Sequence, residues 1–284
     1  MAAPPSRVTL EQALQQGAEL LEKEGVPAPR LTAEVLLSHA IRHDRAYLYA
    51  HSTDELTELW WIHYGRYLHE RLQGKPTQYI THKQEFYGRD FHVGPDVLIP
   101  RPETEHLVEA AVSAIRERGR RQILDVGTGS GAIAISIALE TGVPVLASDI
   151  STAALAVARQ NREALNAPVR LFASDLLDAV DRQSIDLLVS NPPYVPARDK
   201  ANVQREVRDW EPEVALYGGD DGGAIYRRLI AQAAGVVRPA GQIMLEMGYR
   251  SLEQIRPLLA ENWTNVSVID DLAGLPRVVV AQKR

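Results

Sequence analysis

Apolar and polar positions change rhythm twice along this chain. From Thr9 to about Gln73 apolar residues recur at three-to-four spacing, the period of a helix face. Leu10, Leu14, Ala18 and Leu21 form a first run, with Thr9 as a plausible N-cap and Gly25 with Pro27 as its stop. Thr32 opens a second run through Val35, Leu36 and Leu37. A third, from about Thr53 to Leu72, carries Leu56, Leu59, Trp60, Ile62, Tyr67 and Leu68. No strand pattern interrupts them. Residues 1–75 are therefore expected to form a small helical domain whose aromatics are mostly core, bounded by Gly74-Lys75-Pro76.

Within residues 76–100 the rhythm shortens. Phe86-Tyr87-Gly88 and Phe91-His92-Val93-Gly94-Pro95 are aromatic runs around Gly and Pro, and they predict a β-hairpin in the linker. Beyond it, short apolar runs alternate with helical stretches. The strands are read at Gln122–Val126, Val145–Ser148, Val169–Ala173, Ile185–Ser190, Gln242–Glu246, Val266–Ile269 and Arg277–Ala281, with helices starting at Ala132, Thr152, Ala224 and Leu252. Continuous apolar strands separated by helices predict an α/β domain over residues 101–284, with a mostly parallel seven-stranded sheet covered on both faces. No long helix separates the last two strands, so the last is expected to run antiparallel.

Two loops in this region carry candidate chemistry. Gly127-Thr128-Gly129-Ser130-Gly131 leaves the first sheet strand and enters a helix. Its glycines let backbone approach a ligand, and the helix N-terminus offers free N–H groups. Asp149 ends the second strand 22 residues after Gly127, where an acid can accept hydrogen bonds from a ribose diol. Asp175, after the third strand, is a second candidate near an adenine. An adenosine cofactor fits, but positions 127, 129 and 132 also satisfy the dinucleotide fingerprint, so the loop alone leaves a dehydrogenase open.

The fourth strand decides the cofactor. It ends in Asn191-Pro192-Pro193-Tyr194. Two prolines remove two N–H groups, and each residue before a proline is pushed to extended backbone. The segment thus presents acceptors, the Asn191 side-chain oxygen and the Pro192 carbonyl, with the Tyr194 ring alongside. Such a site suits a partner with two N–H groups on one nitrogen. An S-adenosylmethionine enzyme needs a nucleophile held there, and a dehydrogenase does not.

Composition narrows the class further. With 45% hydrophobic and 24% charged residues the chain reads as an ordinary globular protein, and no apolar run approaches the length of a membrane span. The start, Met-Ala-Ala-Pro-Pro-Ser-Arg, lacks the apolar core of a signal peptide, and the absence of cysteine excludes disulfides and thiolate metal sites. A cytoplasmic protein is expected. A net charge of −6 gives no support to a broad nucleic-acid surface while leaving room for a local basic patch, and neither a direct nucleic-acid nor a membrane partner is expected. His39 and His43, four apart on one helix face, are read as solvated or core residues, and no metal is expected.

With the glycine loop, Asp149 and Asn191–Tyr194 in this order, the chain resembles a Rossmann-like class I S-adenosylmethionine-dependent methyltransferase. More specific segments are Glu85-Phe86-Tyr87-Gly88, Leu98-Ile99-Pro100-Arg101-Pro102-Glu103-Thr104-Glu105, Glu211-Pro212 with Ala215-Leu216, Gly218-Gly219-Asp220-Asp221-Gly222 and Glu246-Met247-Gly248-Tyr249. Together they are similar to the release-factor glutamine methyltransferases (the HemK, or PrmC, family) over nearly the whole chain. The resemblance implies methyl transfer from S-adenosylmethionine to the side-chain amide of the glutamine in the Gly-Gly-Gln tripeptide of peptide chain release factors, leaving S-adenosylhomocysteine. It also implies that Gly127, Thr128, Gly129, Ser130, Gly131, Asp149, Asp175, Leu176, Asn191 and Arg101 hold the cofactor. Asn191, Pro192, Pro193 and Tyr194 would hold the glutamine, with Asn191, Pro192 and Tyr194 catalytic. The helical domain would dock the protein substrate. Two positions depart from the family pattern. Leu176 stands where some members carry an aromatic against the adenine, and Gly223 stands where a larger apolar residue is common, which should loosen that loop. The alternative reading is methylation of an exocyclic amine of adenine or guanine, which uses the same acceptor geometry on a flipped base.

Overall fold

A computed structural model describes residues 8–119, 121–248 and 250–284. The first seven residues and Tyr249 of the Glu246–Tyr249 segment lie outside them. The chain folds as two units. One is the chain up to His82 together with Arg205–Trp210, and the other is Lys83–Gln204 with Glu211–Arg284.

The smaller unit contains helices Leu10–Lys23, Pro29–Ile41, Arg45–Ala50, Glu58–Leu72 and Thr77–Thr81, and the helical turns of Arg205–Trp210. Thr9 caps the first helix as expected, exchanging hydrogen bonds with Gln12 in a capping box. Thr32 does not open the second helix. Pro29 occupies its first turn, where the missing N–H costs nothing, and Thr32 is buried inside with its hydroxyl donating to the Pro27 carbonyl. The helix ends at Ile41 with Arg42 in the left-handed region, so His43 lies beyond it and shares no helix face with His39. The rings take different partners: His39 lies 4.9 Å from Tyr67, and His43 stacks on Tyr47 at 3.9 Å. The helix expected from Thr53 begins at Glu58, with Thr57 as its cap. The core joins Leu10, Leu14, Leu21, Leu36, Leu37, Tyr64 and Leu68. Arg71 is buried and pairs with Glu206 at 2.7 Å, which ties Arg205–Trp210 into this unit.

The larger unit opens with the expected hairpin, β1 (Lys83–Phe86) and β2 (Arg89–His92). Tyr87 and Gly88 between them both have positive φ, 51° and 68°, the signature of a type I′ turn. A helix that the apolar pattern does not predict, Glu105–Arg118, follows; its stripe of Leu107, Val108, Ala111, Val112 and Ile115 is diluted by alanine. Then come β3 (Ile123–Val126), β4 (Val145–Asp149), β5 (Val169–Ala173), β6 (Ile185–Ser190), β7 (Val237–Glu246), β8 (Trp263–Asp270) and β9 (Pro276–Lys283). They form one seven-stranded sheet in the order β5-β4-β3-β6-β7-β9-β8, with β9 antiparallel to both neighbours. The doubly wound fold with an antiparallel last strand is as expected. Apolar clusters cover the two faces, one centred on Ile133, Ile137, Val189 and Met244, the other on Leu188, Tyr226, Ile243 and Val279. The strand order reverses between β3 and β6, and at such a switch point loops diverge and leave a crevice at the carboxyl ends. Among the described residues no helix is long and apolar enough to cross a membrane.

Candidate active site

The glycine loop is the first element at that crevice. Its glycines at 127, 129 and 131 all have positive φ, which a side chain would oppose. The loop is pinned from below: Gly127 and Thr128 donate to the Ser148 carbonyl at 2.8 and 2.9 Å, and the Thr128 hydroxyl donates to buried Asp125 at 2.7 Å. Burial pushes the Asp125 carboxyl up to about 7, against the Thr128 hydrogen bond, which favours the anion. Asn161, also buried, donates to the Ser130 and His92 carbonyls and accepts from His92 N–H, joining the loop to the hairpin. Gly131 needs its missing side chain, because a Cβ there would stand 2.9 Å from Ile135 Cδ1 and 3.3 Å from Ala158 Cβ. At Gly127 and Gly129 an added Cβ would meet nothing within 4 Å, so the backbone there faces open space of the kind a ligand fills.

One cavity takes in Gly127 and Gly129 together with Asp149, Asp175, Leu176, Asn191 and Pro193. Asp149 accepts from Gly129 N–H and Ser151 N–H, both at 2.9 Å. Each of its oxygens keeps a second lone pair for a hydroxyl. Burial raises its pKa, opposed by those backbone hydrogen bonds. Asp175 pairs with Arg228 at 2.8 Å on the rim. Leu176 lines the wall with Ile150, Val214 and Ile225, so the apolar surface there is aliphatic. Ile150 and Val214 are more than half exposed.

Other residues singled out by the sequence do not line this cavity. Thr128, Ser130 and Gly131 support the loop, and Arg101 pairs with Glu211, whose other oxygen accepts from Ile99 N–H at 3.1 Å. Pro192 is buried and Tyr194 half-buried.

At the other end of the cavity, Asn191–Tyr194 continues β6 directly. Ser190 at its root donates to the Val126 carbonyl at 2.6 Å, which ties it to the strand of the glycine loop. Asn191 Nδ2 donates to Thr104 Oγ1 at 3.2 Å, so its NH2 is engaged and its oxygen is turned away. The glycine segment 218–222 packs alongside: Val195 N–H donates to the Leu216 carbonyl and Gly218 N–H to the Val195 carbonyl. A Cβ at Gly222 would run into the Tyr194 carbonyl oxygen. The loosening expected at Gly223 is met by a pin, since Asp221 accepts from Gly223 N–H at 3.0 Å and pairs with Arg227.

Sequence reasoning gives no role to three groups here. Thr104 and Glu246 lie in family-like segments but have no task in the linear pattern. Glu246 is 1% exposed; burial pushes its carboxyl up to about 7, opposed by hydrogen bonds from the Thr104 and Tyr194 side chains and by Arg277. The third group is the apolar wall. Ile150 could have been found from its position directly after Asp149 at the end of a strand.

Residues 12–81 match the family model described as the PrmC N-terminal domain, and residues 104–208 match the methyltransferase small domain. The chain is 45% identical to the release factor glutamine methyltransferase of Koribacter versatilis, over 97% of this chain and 99% of that one. It is 38% identical to the enzyme of that name from Nitratidesulfovibrio vulgaris, over 99% and 97%. A 16S rRNA methyltransferase of T. thermophilus, solved in complex with AdoMet and guanosine, shares the fold with a TM-score of 0.52 at 23% identity, covering 71% of this chain and 50% of that chain.

Proposed function

Because this chain belongs to the release factor glutamine methyltransferase family, we propose that it methylates the side-chain amide nitrogen of the glutamine in the Gly-Gly-Gln tripeptide of peptide chain release factors, with S-adenosylmethionine as donor. The observation that carries the reading is a single cavity lined by Gly127, Gly129, Asp149 and Asn191. The open space over the two glycines and the paired lone pairs of Asp149 suit an adenosine. When bound, S-adenosylmethionine supplies an electrophilic methyl group on a sulfonium.

The residues at the acceptor end must deal with a poor nucleophile, since an amide lone pair is delocalised into its carbonyl. A general base gains little, because the amide proton is very weakly acidic. Two acceptors, Asn191 Oδ1 and the Pro192 carbonyl, can instead take the two N–H groups, orient the nitrogen and stabilise positive charge as it develops. Tyr194 packs against the planar amide. The extra proton leaves readily afterwards, as a protonated amide is strongly acidic. Mass spectrometry of release factor incubated with methyl-labelled S-adenosylmethionine tests the reading. One added methyl on the tripeptide glutamine is expected, and none when that glutamine is replaced by glutamate; label in the glutamate variant contradicts it.

The helical domain, residues 1 to about 75, carries none of this chemistry, and we assign it the docking of the release factor. Leu59 and Ile62, one helical turn apart, are 62% and 56% exposed and offer an apolar contact. Leu59→Ser with Ile62→Ser should raise KM for intact release factor by about tenfold, the loss of two apolar contacts, and leave a short Gly-Gly-Gln peptide unaffected. Equal effects on both substrates count against docking.

A further inference from the structure

We propose that Glu211 is a positioning residue for the amide pocket: by clamping Arg101 it fixes the short turn Pro102–Thr104, whose last hydroxyl holds the NH2 of Asn191 and leaves the Asn191 oxygen to the substrate. The inference rests on the reading of this pocket as a primary-amide site. Three hydrogen bonds make the connection. The Arg101 guanidinium donates to Glu211 Oε1, and the Arg101 carbonyl accepts from Thr104 N–H at 3.0 Å. Thr104 Oγ1 in turn accepts from Asn191 Nδ2 at 3.2 Å. A carboxamide carries one acceptor oxygen and one NH2 on opposite sides. With the NH2 turned to Thr104, the oxygen faces the other way, where it can receive a substrate N–H.

The backbone around Arg101 is poorly equipped to hold this turn by itself. Pro100 and Pro102 flank Arg101 and carry no N–H. Pro102 also pushes Arg101 to extended backbone, where it stands at φ −100° and ψ 145°. Among the described residues no side chain caps the turn. The Glu211 clamp supplies that anchor from a distant part of the chain. Its side chain is 1% exposed, and its second oxygen accepts from Ile99 N–H at 3.1 Å. Burying a carboxylate for packing alone is costly, and gripping two separate donors offsets that cost. The chain after Glu211 grips the other side of the pocket. There the Leu216 carbonyl accepts from Val195 N–H at 2.9 Å, and Gly218 N–H donates to the Val195 carbonyl at 3.0 Å. Asn191–Tyr194 is thus held from both flanks, and the Arg101 flank sets the direction of the Asn191 side chain.

The two jobs of Glu211 can be separated. Glu211→Gln keeps the shape but leaves one acceptor oxygen. Ile99 N–H is buried and costly to leave unpaired, whereas Arg101 is 33% exposed and can turn to water, so that oxygen goes to Ile99. The substitution therefore releases Arg101 and spares the chain at Ile99. The test is steady-state kinetics of the full-length enzyme on intact release factor, with thermal melts and S-adenosylhomocysteine calorimetry as checks on folding and cofactor binding. A misplacement of about 1 Å at a reacting group costs up to about a hundredfold in rate. Glu211→Gln should accordingly lower kcat by about tenfold, and leave both KM values and S-adenosylhomocysteine affinity within about threefold. Thr104→Val, which keeps the shape and removes the hydroxyl, should do the same. The double variant should match the slower single within about threefold, where independent effects would multiply to about a hundredfold. Multiplied losses, an unchanged kcat in Glu211→Gln, or a loss of S-adenosylhomocysteine affinity as large as the loss of rate overturns the proposal while the methyl transfer stands. Should Glu211→Gln fail to fold, Arg101→Met and Arg101→Lys decide: Met should lower kcat and Lys, which can still donate to Glu211, should recover it. Met without loss or Lys without recovery overturns the proposal. If wild-type enzyme leaves release factor unmethylated, the proposed function itself falls.

Discussion

The two ends of the cavity are built in opposite ways. The cofactor end is local: a five-residue loop, with Asp149 at the end of the neighbouring strand, is shaped by glycine backbone and pinned by main-chain hydrogen bonds to Ser148. The acceptor end is assembled from distant chain. Asn191 leans on Thr104, 87 residues earlier in the sequence. Main-chain cradles tolerate side-chain change as long as the glycines remain, whereas the acceptor end depends on the direction of individual protons. A shared fold can therefore keep one cofactor while the acceptor varies.

The sharpest way to separate the ends is Asn191→Ala. It leaves one substrate N–H without an acceptor in a buried site and should raise the barrier by about 2–4 kcal/mol, comparable to the loss of one oxyanion-hole donor. The loss should fall on kcat, and an ionised carboxylate in Asn191→Asp, which can still accept, should retain part of the activity. If Asn191→Ala instead abolishes S-adenosylhomocysteine binding with no separate effect on kcat, the two ends are not distinct.

Asp149→Ala is the mirror test. Removing charge-assisted hydrogen bonds should weaken S-adenosylhomocysteine binding by about 1–3 kcal/mol, read by calorimetry. Tight NADH binding with no response to S-adenosylhomocysteine would restore the dehydrogenase reading.

A matched pair of glycines sharpens the contrast. Gly131→Ala, at φ +84 and against Ile135, should cost about 1–3 kcal/mol of stability and weaken cofactor binding. Gly222→Ala, at φ +78 and against the Tyr194 carbonyl, should lower turnover while sparing the cofactor. Thermal melts with and without S-adenosylhomocysteine distinguish the two, and identical behaviour would blur the comparison.

Stability against pH offers a further contrast. Asp125 under the loop and Glu246 under the acceptor both hold their protons to about 7 in the folded state. The unfolded chain releases them near its ordinary carboxyl values, so between about pH 4 and 7 the unfolded state binds fewer protons and stability falls as pH rises. Asp125→Asn should flatten part of that slope in denaturant titrations; an unchanged slope argues against a protonated Asp125.

The same local-versus-distant contrast explains what the sequence reveals. Strands β3 to β6 and their loops are legible because continuous apolar runs and glycines are local signals. Asn191-Pro192-Pro193-Tyr194 is legible because proline fixes its own backbone. Thr104 gains a role only when the fold brings it to Asn191, and no spacing in the chain encodes that meeting. Arg101 shows the reverse. Its segment is family-like, yet its guanidinium is engaged with Glu211, a partner 110 residues away that no local pattern could indicate. Helix Glu105–Arg118 escapes the pattern because its stripe is part alanine, and Thr32 is a false start because Pro29 carries the signal.

The central claim, that the acceptor end selects a carboxamide while the cofactor end is generic, is tested most directly by competition. Full-length enzyme is given methyl-labelled S-adenosylmethionine with equal amounts of intact release factor and total nucleic acid, and the label is located by mass spectrometry. The account predicts label on the glutamine of Gly-Gly-Gln and none on bases. Label on an adenine or guanine amine, with the release factor unmodified, would contradict it.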